Sequence, residues 1–266
     1  MKALVTKLAV LVAALLLGSP AESQDPPAIK ALLIAGGCCH DYTTQTRILT
    51  EGISARARVE WKIVRYTATE RKTVIDIYKD ENWGQGFDVV LHNECYGGVK
   101  DVEFVERIAK AHHNGLAGVV VHCSAHSYRA AATDEWRRCM GVTSRSHEKH
   151  RPLEIKVVRK NHPILSDFPN PWPTPNGELY KIEKVWPQTK VLATAYGADT
   201  QKDHPIIWTN EYGKGRMFGT TLGHHNETMA HEVYLDLVTR GLLWAGGRLR
   251  DDGEPTEGFK PTPKKK

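Results

Sequence analysis

Apolar and polar positions along this chain fall into blocks whose period changes. Residues 30–35 form a short apolar run closed by Gly36-Gly37, which predicts a buried strand and a tight turn. Residues 43–57 have helical spacing, with Ile48, Gly52 and Ala55 on one side, and residues 59–66 alternate as a strand does. A further strand is expected over residues 86–91. An amphipathic helix is expected over 101–113, where Val102, Val105, Ile108 and Ala109 recur at helical spacing and Asn114-Gly115 supplies a cap. Residues 116–122 read as the fourth strand. Strands and helices alternating at this spacing predict βαβ units and a parallel sheet.

Beyond residue 133 the pattern loosens. A short helix is expected over 133–140 and an alternating strand over 153–158. Residues 161–177 hold five prolines and read as loop. Strands are expected over 178–185, 191–196 and 205–209. Asn210 to Gly215 is a hairpin signal leading into a strand over 216–222, and a closing helix is expected over 229–246. The sheet should therefore be parallel at first, with antiparallel strands added late.

Two strand ends carry most of the chemistry. One apolar run ends in His122-Cys123-Ser124-Ala125-His126 and the other in His224-His225-Asn226-Glu227. Ligands of open α/β sheets bind at the carboxyl ends of strands. Cys123 with a His-x-x-Glu could form a nucleophile–base arrangement; the same residues could instead wall a metal or sugar pocket.

The ends of the chain and its charge narrow the class. Lys2 and Lys7 precede an apolar stretch over residues 8–17 and small residues near 18–23, the pattern of a secretory signal peptide over residues 1–24. The mature protein is thus expected to be secreted or periplasmic, with no membrane association after signal removal. The main domain is expected over 25–248, followed by a disordered basic tail over 249–266 that is rich in Pro and Gly and ends in three lysines. The net charge of +5 draws in part on both ends, and aromatic residues do not interleave with the basic ones, so nucleic acid is not an expected partner. Of the five cysteines, Cys38 and Cys39 are adjacent and are not expected to pair with each other; a bridge from either to Cys95 or Cys123 is conceivable.

Several segments resemble the ThuA-like (trehalose-utilisation) family. They are residues 120–125, the turn Trp208 to Arg216, the strand end Phe218 to His224, the closing Arg240 to Ala245, and Gly36-Gly37 with His40-Asp41. The resemblance spans roughly residues 29–247. It implies an α/β fold of the flavodoxin-like, class I glutamine amidotransferase-like kind. This is a three-layer sandwich around a mostly parallel central sheet. It also implies a link to sugar metabolism, especially the turnover of disaccharides or oxidised sugars.

Amidotransferases of this fold place a Cys at a strand-to-helix elbow, and Cys123 falls there. Such an elbow has small flanking residues, but His122 precedes Cys123, Ser124 follows it and Ala125 stands where Gly is expected, which favours a small buried residue over a nucleophile. A divalent metal such as zinc is the second possibility, with His40, His122 and His224 as ligands. The third is carbohydrate recognition without catalysis, with Trp83, Tyr96, Tyr128, Trp172 and Trp208 as aromatic platforms.

If the protein is an enzyme, hydrolysis, isomerisation or elimination at a sugar carbon is expected, with His224, Glu94 and His122 catalytic. Asn93, His126, Tyr128, Arg129 and His225 are then the candidate substrate contacts, and the partner is a small-molecule carbohydrate. The rival is a non-catalytic carbohydrate-binding module. His112-His113 reads as a solvated helix end, and residues 145–151 as an exposed charged loop. All of this presumes that His40, Glu94, His122 and His224 meet in one hollow.

Overall fold

A computed structural model describes residues 28–261 of the protein. The leader expected over 1–24 lies outside the described residues, as do the last five of the tail. The first half runs β1 (Ile29–Gly37), α1 (Tyr42–Ser54), β2 (Val59–Tyr66), β3 (Val89–Cys95), α2 (Val102–His113), β4 (Ala117–Val121) and α3 (Glu135–Met140). The second half runs β5 (Val142–His147), β6 (Glu154–Val157), β7 (Trp172–Pro173), β8 (Tyr180–Val185), β9 (Lys190–Gly197), β10 (Lys202–Tyr212), β11 (Gly215–Thr220), α4 (Asn226–Ala230) and α5 (Glu232–Ala245).

The main sheet has the order β2-β1-β3-β4-β11-β10-β9-β6-β7. β2, β1, β3, β4 and β11 are mutually parallel, and the strands beyond them are antiparallel. The parallel half is the flavodoxin-like order, whose direction reverses between β1 and β3. α1 and α5 pack on one face around Leu49, Ile53, Leu237 and Leu242. α2 and α3 pack on the other around Phe104, Ile108 and Trp136. The result is a three-layer sandwich. β5 and β8 form a separate antiparallel pair on the α2 side.

Local chemistry sets the boundaries. Asp101 caps α2 by accepting from Phe104 N at 3.1 Å. β3 starts later than the apolar run suggests, because Gly86 takes a left-handed φ of +85° and Asp88 accepts from Lys30 N. The closing helix is broken at His231, whose extended backbone ends α4 and whose ring caps α5 by accepting from Val233 N.

α5 crosses β11 closely at Gly241, where a Cβ would lie 2.3–2.6 Å from the Phe218 ring. Gly241→Ala is therefore expected to cost about 1–3 kcal/mol through overpacking. Urea unfolding measures it, and a loss below about 0.5 kcal/mol would show that the helix slides freely.

Three expectations are corrected. His112 is not a solvated helix end: it is fully buried, with Nδ1 2.9 Å from Leu116 O and Nε2 3.0 Å from His92 Nε2. The last turn of α2 is covered by β3 and Trp136, so the ring must find partners inside. Of the loop expected over 145–151, residues 145–147 are exposed as expected but belong to β5 (Val142–His147), held by pairing with β8. The tail is not loose as far as it is described. Leu249 bridges Pro255, Phe259 is buried, and Arg58 N donates to Phe259 O. An aromatic residue within a polar segment is what docks it.

Candidate functional site

The carboxyl ends of β1, β4 and β11 converge, and each chain exit is shaped by a left-handed residue. β1 ends in Gly36 and Gly37, and a Cβ on Gly37 would meet Cys95 O at 2.4 Å. Only glycine lets the two backbones approach this closely, and the turn then lifts Cys38, Cys39 and His40 over the sheet. β4 ends at Val121, and His122 follows with φ +43°. A histidine there is strained, and such residues concentrate at functional turns. After β11, Gly223 at φ +103° turns His224 inward. Asp41 caps α1 through Thr44 N and accepts from Asn226 Nδ2, tying the His40 and His224 loops together.

Three imidazoles meet there. The ring centroids of His40, His122 and His224 are 4.8–5.1 Å apart. Glu178, just before β8, joins them: its Oε2 is 3.4 Å from His122 Nε2 and 3.3 Å from His224 Nδ1. Those two nitrogens are 3.1 Å apart. Tyr180 Oη lies 3.4 Å from His122 Nε2. A hollow of about 90 Å³ is lined by His40, His224, Glu178 and Tyr180 and also touches Arg71, Arg129 and His147, with His122 buried behind it.

Burial disfavours charge on His40 and His122 beside the Glu178 carboxylate. Burial lowers the His40 pKa to about 3, reinforced by His122 and His224. Burial also lowers that of His122, against the pull of Glu178. For Glu178, burial opposes ionisation, but the neighbouring His122 and His224 outweigh it and hold the carboxyl well below its usual range. His122 Nδ1 is 2.7 Å from Thr221 O and donates to it. In the neutral ring, Nε2 is therefore left with its lone pair.

The family model for ThuA, trehalose utilisation, matches residues 30–245. The protein belongs to the ThuA family. A ThuA-like protein from Parabacteroides merdae ATCC 43184 has the same fold with a TM-score of 0.65 and 19% identity, over 89% of this chain and 98% of that one. One from Bacteroides uniformis ATCC 8492 gives 0.62 and 16%, over 85% and 96%. A β-galactosidase from Bacillus circulans sp. alkalophilus gives 0.52 and 13%, over 88% of this chain and 32% of that chain. Likeness at these identities speaks to the fold. No curated protein matches the chain.

Within this ThuA chain the expected site residues separate. His40, His122 and His224 meet, and His126 and Arg129 line the same hollow. His126 is stacked on Tyr180 at 3.8 Å and pairs with Ser144 Oγ at 2.8 Å. His225 sits beside His224, with centroids 4.4 Å apart.

Glu94 does not join them. It is fully buried on the α2 side of β3, where Tyr78, His92 and Tyr128 surround Oε1 at 2.9–3.2 Å. Tyr128 faces the same network, and Asn93 is buried against Gln45 on the opposite face. Trp83, Tyr96, Trp172 and Trp208 are core residues. Sequence reading missed Glu178 and Tyr180, which follow the proline-rich stretch without any motif. His147 and His150 are exposed, as the charged stretch predicts, and both reach Glu178 Oε1.

Glu94→Gln should therefore cost about 1–3 kcal/mol, as expected for disturbing a buried hydrogen-bonded carboxyl, and leave the His40–His122–His224 cluster intact. Denaturation together with divalent-ion titration checks this. A variant of unchanged stability and lost ion affinity would return Glu94 to the site.

The cysteines also depart from expectation. Cys38 pairs with Cys39, and Cys95 with Cys123, while Cys139 is free and buried. The adjacent pair closes where Cys39 adopts φ +87°, a turn the usual extended backbone lacks. Cys123 thus offers no free thiol in this state. The strained elbow position belongs to His122, one residue earlier than the amidotransferase pattern suggests.

Proposed function

We propose that the protein acts on a small carbohydrate, a sugar or keto sugar, with a divalent cation such as zinc held by His122, His224 and Glu178 and with His40 beside them. One observation carries this reading. The Nε2 lone pair of His122, His224 Nδ1 and Glu178 Oε2 form a triangle with edges of 3.1, 3.3 and 3.4 Å. Ligands of a tetrahedral zinc ion with bonds of about 2.0–2.1 Å stand roughly 3.4 Å apart. Without a cation the His122 lone pair can accept from His224 Nδ1 or Tyr180 Oη; with one, it and the carboxylate serve as ligands. The Nδ1–H of His122 on a backbone carbonyl is the outer contact that orients a metal-bound histidine.

Such a cation would polarise a sugar carbonyl or hydroxyl and acidify bound water. The chain supplies the remainder. His40 stays neutral at physiological pH and offers a lone pair. Arg129 and His126 on the rim meet sugar hydroxyls. The hollow of about 90 Å³ admits the reacting edge of a sugar rather than a whole disaccharide. The reaction class is hydrolysis, isomerisation or elimination at a sugar carbon. A binding module without catalysis would want open aromatic faces, and Tyr180 is covered by His126. An exported location is part of the proposal and accords with two disulfides among the described residues.

The test is a Zn²⁺ titration of chelator-stripped protein, followed by a thermal-shift screen of disaccharides and their oxidised forms. Binding near one or more equivalents that His122→Ala abolishes, with sugar-dependent stabilisation, is the expected result. If Zn²⁺ neither binds below about millimolar concentration nor stabilises the fold, the cation reading fails.

A further inference from the structure

We infer that a second cation station lies beside the hollow, outside the first and joined to it by Glu178, so that two divalent cations share one carboxylate. This second station presupposes the cation reading proposed above. The two oxygens of Glu178 face different partners. Oε2 faces His122 and His224. Oε1 lies 2.9 Å from His150 Nε2 and 3.0 Å from His147 Nδ1. Hydrogen bonding of an isolated carboxylate does not require four imidazoles.

His147 Nδ1 also lies 2.9 Å from Glu148 O and is occupied there as a donor, so His147 positions the carboxylate. His150 and His225 are the candidate ligands. One nitrogen from each of His150, His224 and His225 lies within 4.8 Å of the other two. The ring centroid of His150 is 4.2 Å from that of His224 and 5.3 Å from that of His225.

His225 supplies the independent observation. Its Nε2 is shut off from solvent and has no hydrogen-bond partner. Buried polar atoms are almost always paired, and an unpaired one costs about 1–3 kcal/mol. A cation bound by His150, His225 and Glu178 Oε1 would satisfy it, leaving His224 between the two stations. Carboxylate-bridged cation pairs about 3.5–4 Å apart clamp two oxygens of one substrate. His150 is 46% exposed, so the outer station faces solvent. Its ligand class is accordingly a pair of neighbouring sugar oxygens, such as a hydroxyl beside a ketone.

Co²⁺ titration of the chelator-stripped full chain, followed by visible absorption and electron paramagnetic resonance, tests this. The wild type should reach about two equivalents. His225→Ala and His150→Ala should each reach about one, with the remaining affinity changed less than about threefold. The exposed position of His150 keeps that variant folded, and its unfolding midpoint verifies this. The doubly loaded protein should show exchange coupling between the two ions. A wild-type endpoint of one, unchanged in both variants, overturns the outer station and leaves the inner one standing. An endpoint of zero removes both. Two equivalents without coupling overturn the Glu178 bridge.

Discussion

Glu178→Gln is expected to weaken Zn²⁺ binding roughly a thousandfold. Glutamine keeps the shape of the side chain, and its carbonyl oxygen can still accept a hydrogen bond from His150 Nε2, so the metal-free fold should survive. What it loses is the one negative charge among His40, His122, His147, His150 and His224. Removing one partner from a buried charge interaction costs about 3–5 kcal/mol, and each 1.4 kcal/mol is about tenfold in affinity. Both oxygens of Glu178 are engaged, on opposite sides, so neither proposed station escapes. A competition titration against a chromophoric chelator measures the change. A loss below tenfold would mean that the histidines bind the ion without the carboxylate, and that Glu178 serves only as their hydrogen-bond acceptor. Set beside Glu94→Gln, where stability should fall and ion affinity hold, the pair of variants separates the two buried glutamates by function.

That separation was not legible in the sequence. β3 is buried along its whole length, so no polar face records which way each side chain points. Alternation sends Leu91 and Cys95 to the α1 and α5 side, and Val90 and Tyr96 with His92 and Glu94 to the α2 side. A single step along the strand therefore decides whether a carboxylate enters the hollow. The elbow raised the same difficulty. The apolar run marks where β4 ends to within a residue, yet the strained position falls on His122 rather than Cys123. By contrast, the meeting of His40, His122 and His224 was readable, because each lies within four residues of the carboxyl end of a strand with a clear apolar pattern. Glu178 was not, since it enters from a proline-rich stretch that carries no period. Its place depends on β8 pairing with β5, a contact between segments that the sequence does not connect.

Buried neutral histidines give the fold a second large dependence, on pH. The pKa of His112 is lowered to about 3 by burial, assisted by His92. Burial is also the main cause for His40, lowered to about 3, and for His126, lowered to about 2, where Arg129 and His122 add to it. In the unfolded chain each titrates near 6.5. Below that pH the unfolded state binds protons that the folded state refuses, so stability is complete above about pH 7 and falls as the solution is acidified. The loss continues down to about pH 3 for His40 and His112 and about pH 2 for His126. At pH 5 each ring contributes about 2 kcal/mol, and the three together on the order of 6 kcal/mol, a large share of the roughly 5–15 kcal/mol that holds a domain folded. Chelator-stripped protein should therefore show a steep drop in its urea midpoint between pH 7 and pH 5. His112→Leu should reduce the slope by about 1.4 kcal/mol per pH unit, one proton's worth, whatever it does to the absolute stability. His112 lies beneath α2, remote from the hollow, so the reduction should persist when Zn²⁺ is present. A flat profile from pH 7 to pH 5 would mean that His40, His112 and His126 take up protons in the folded state and that their surroundings are open to water.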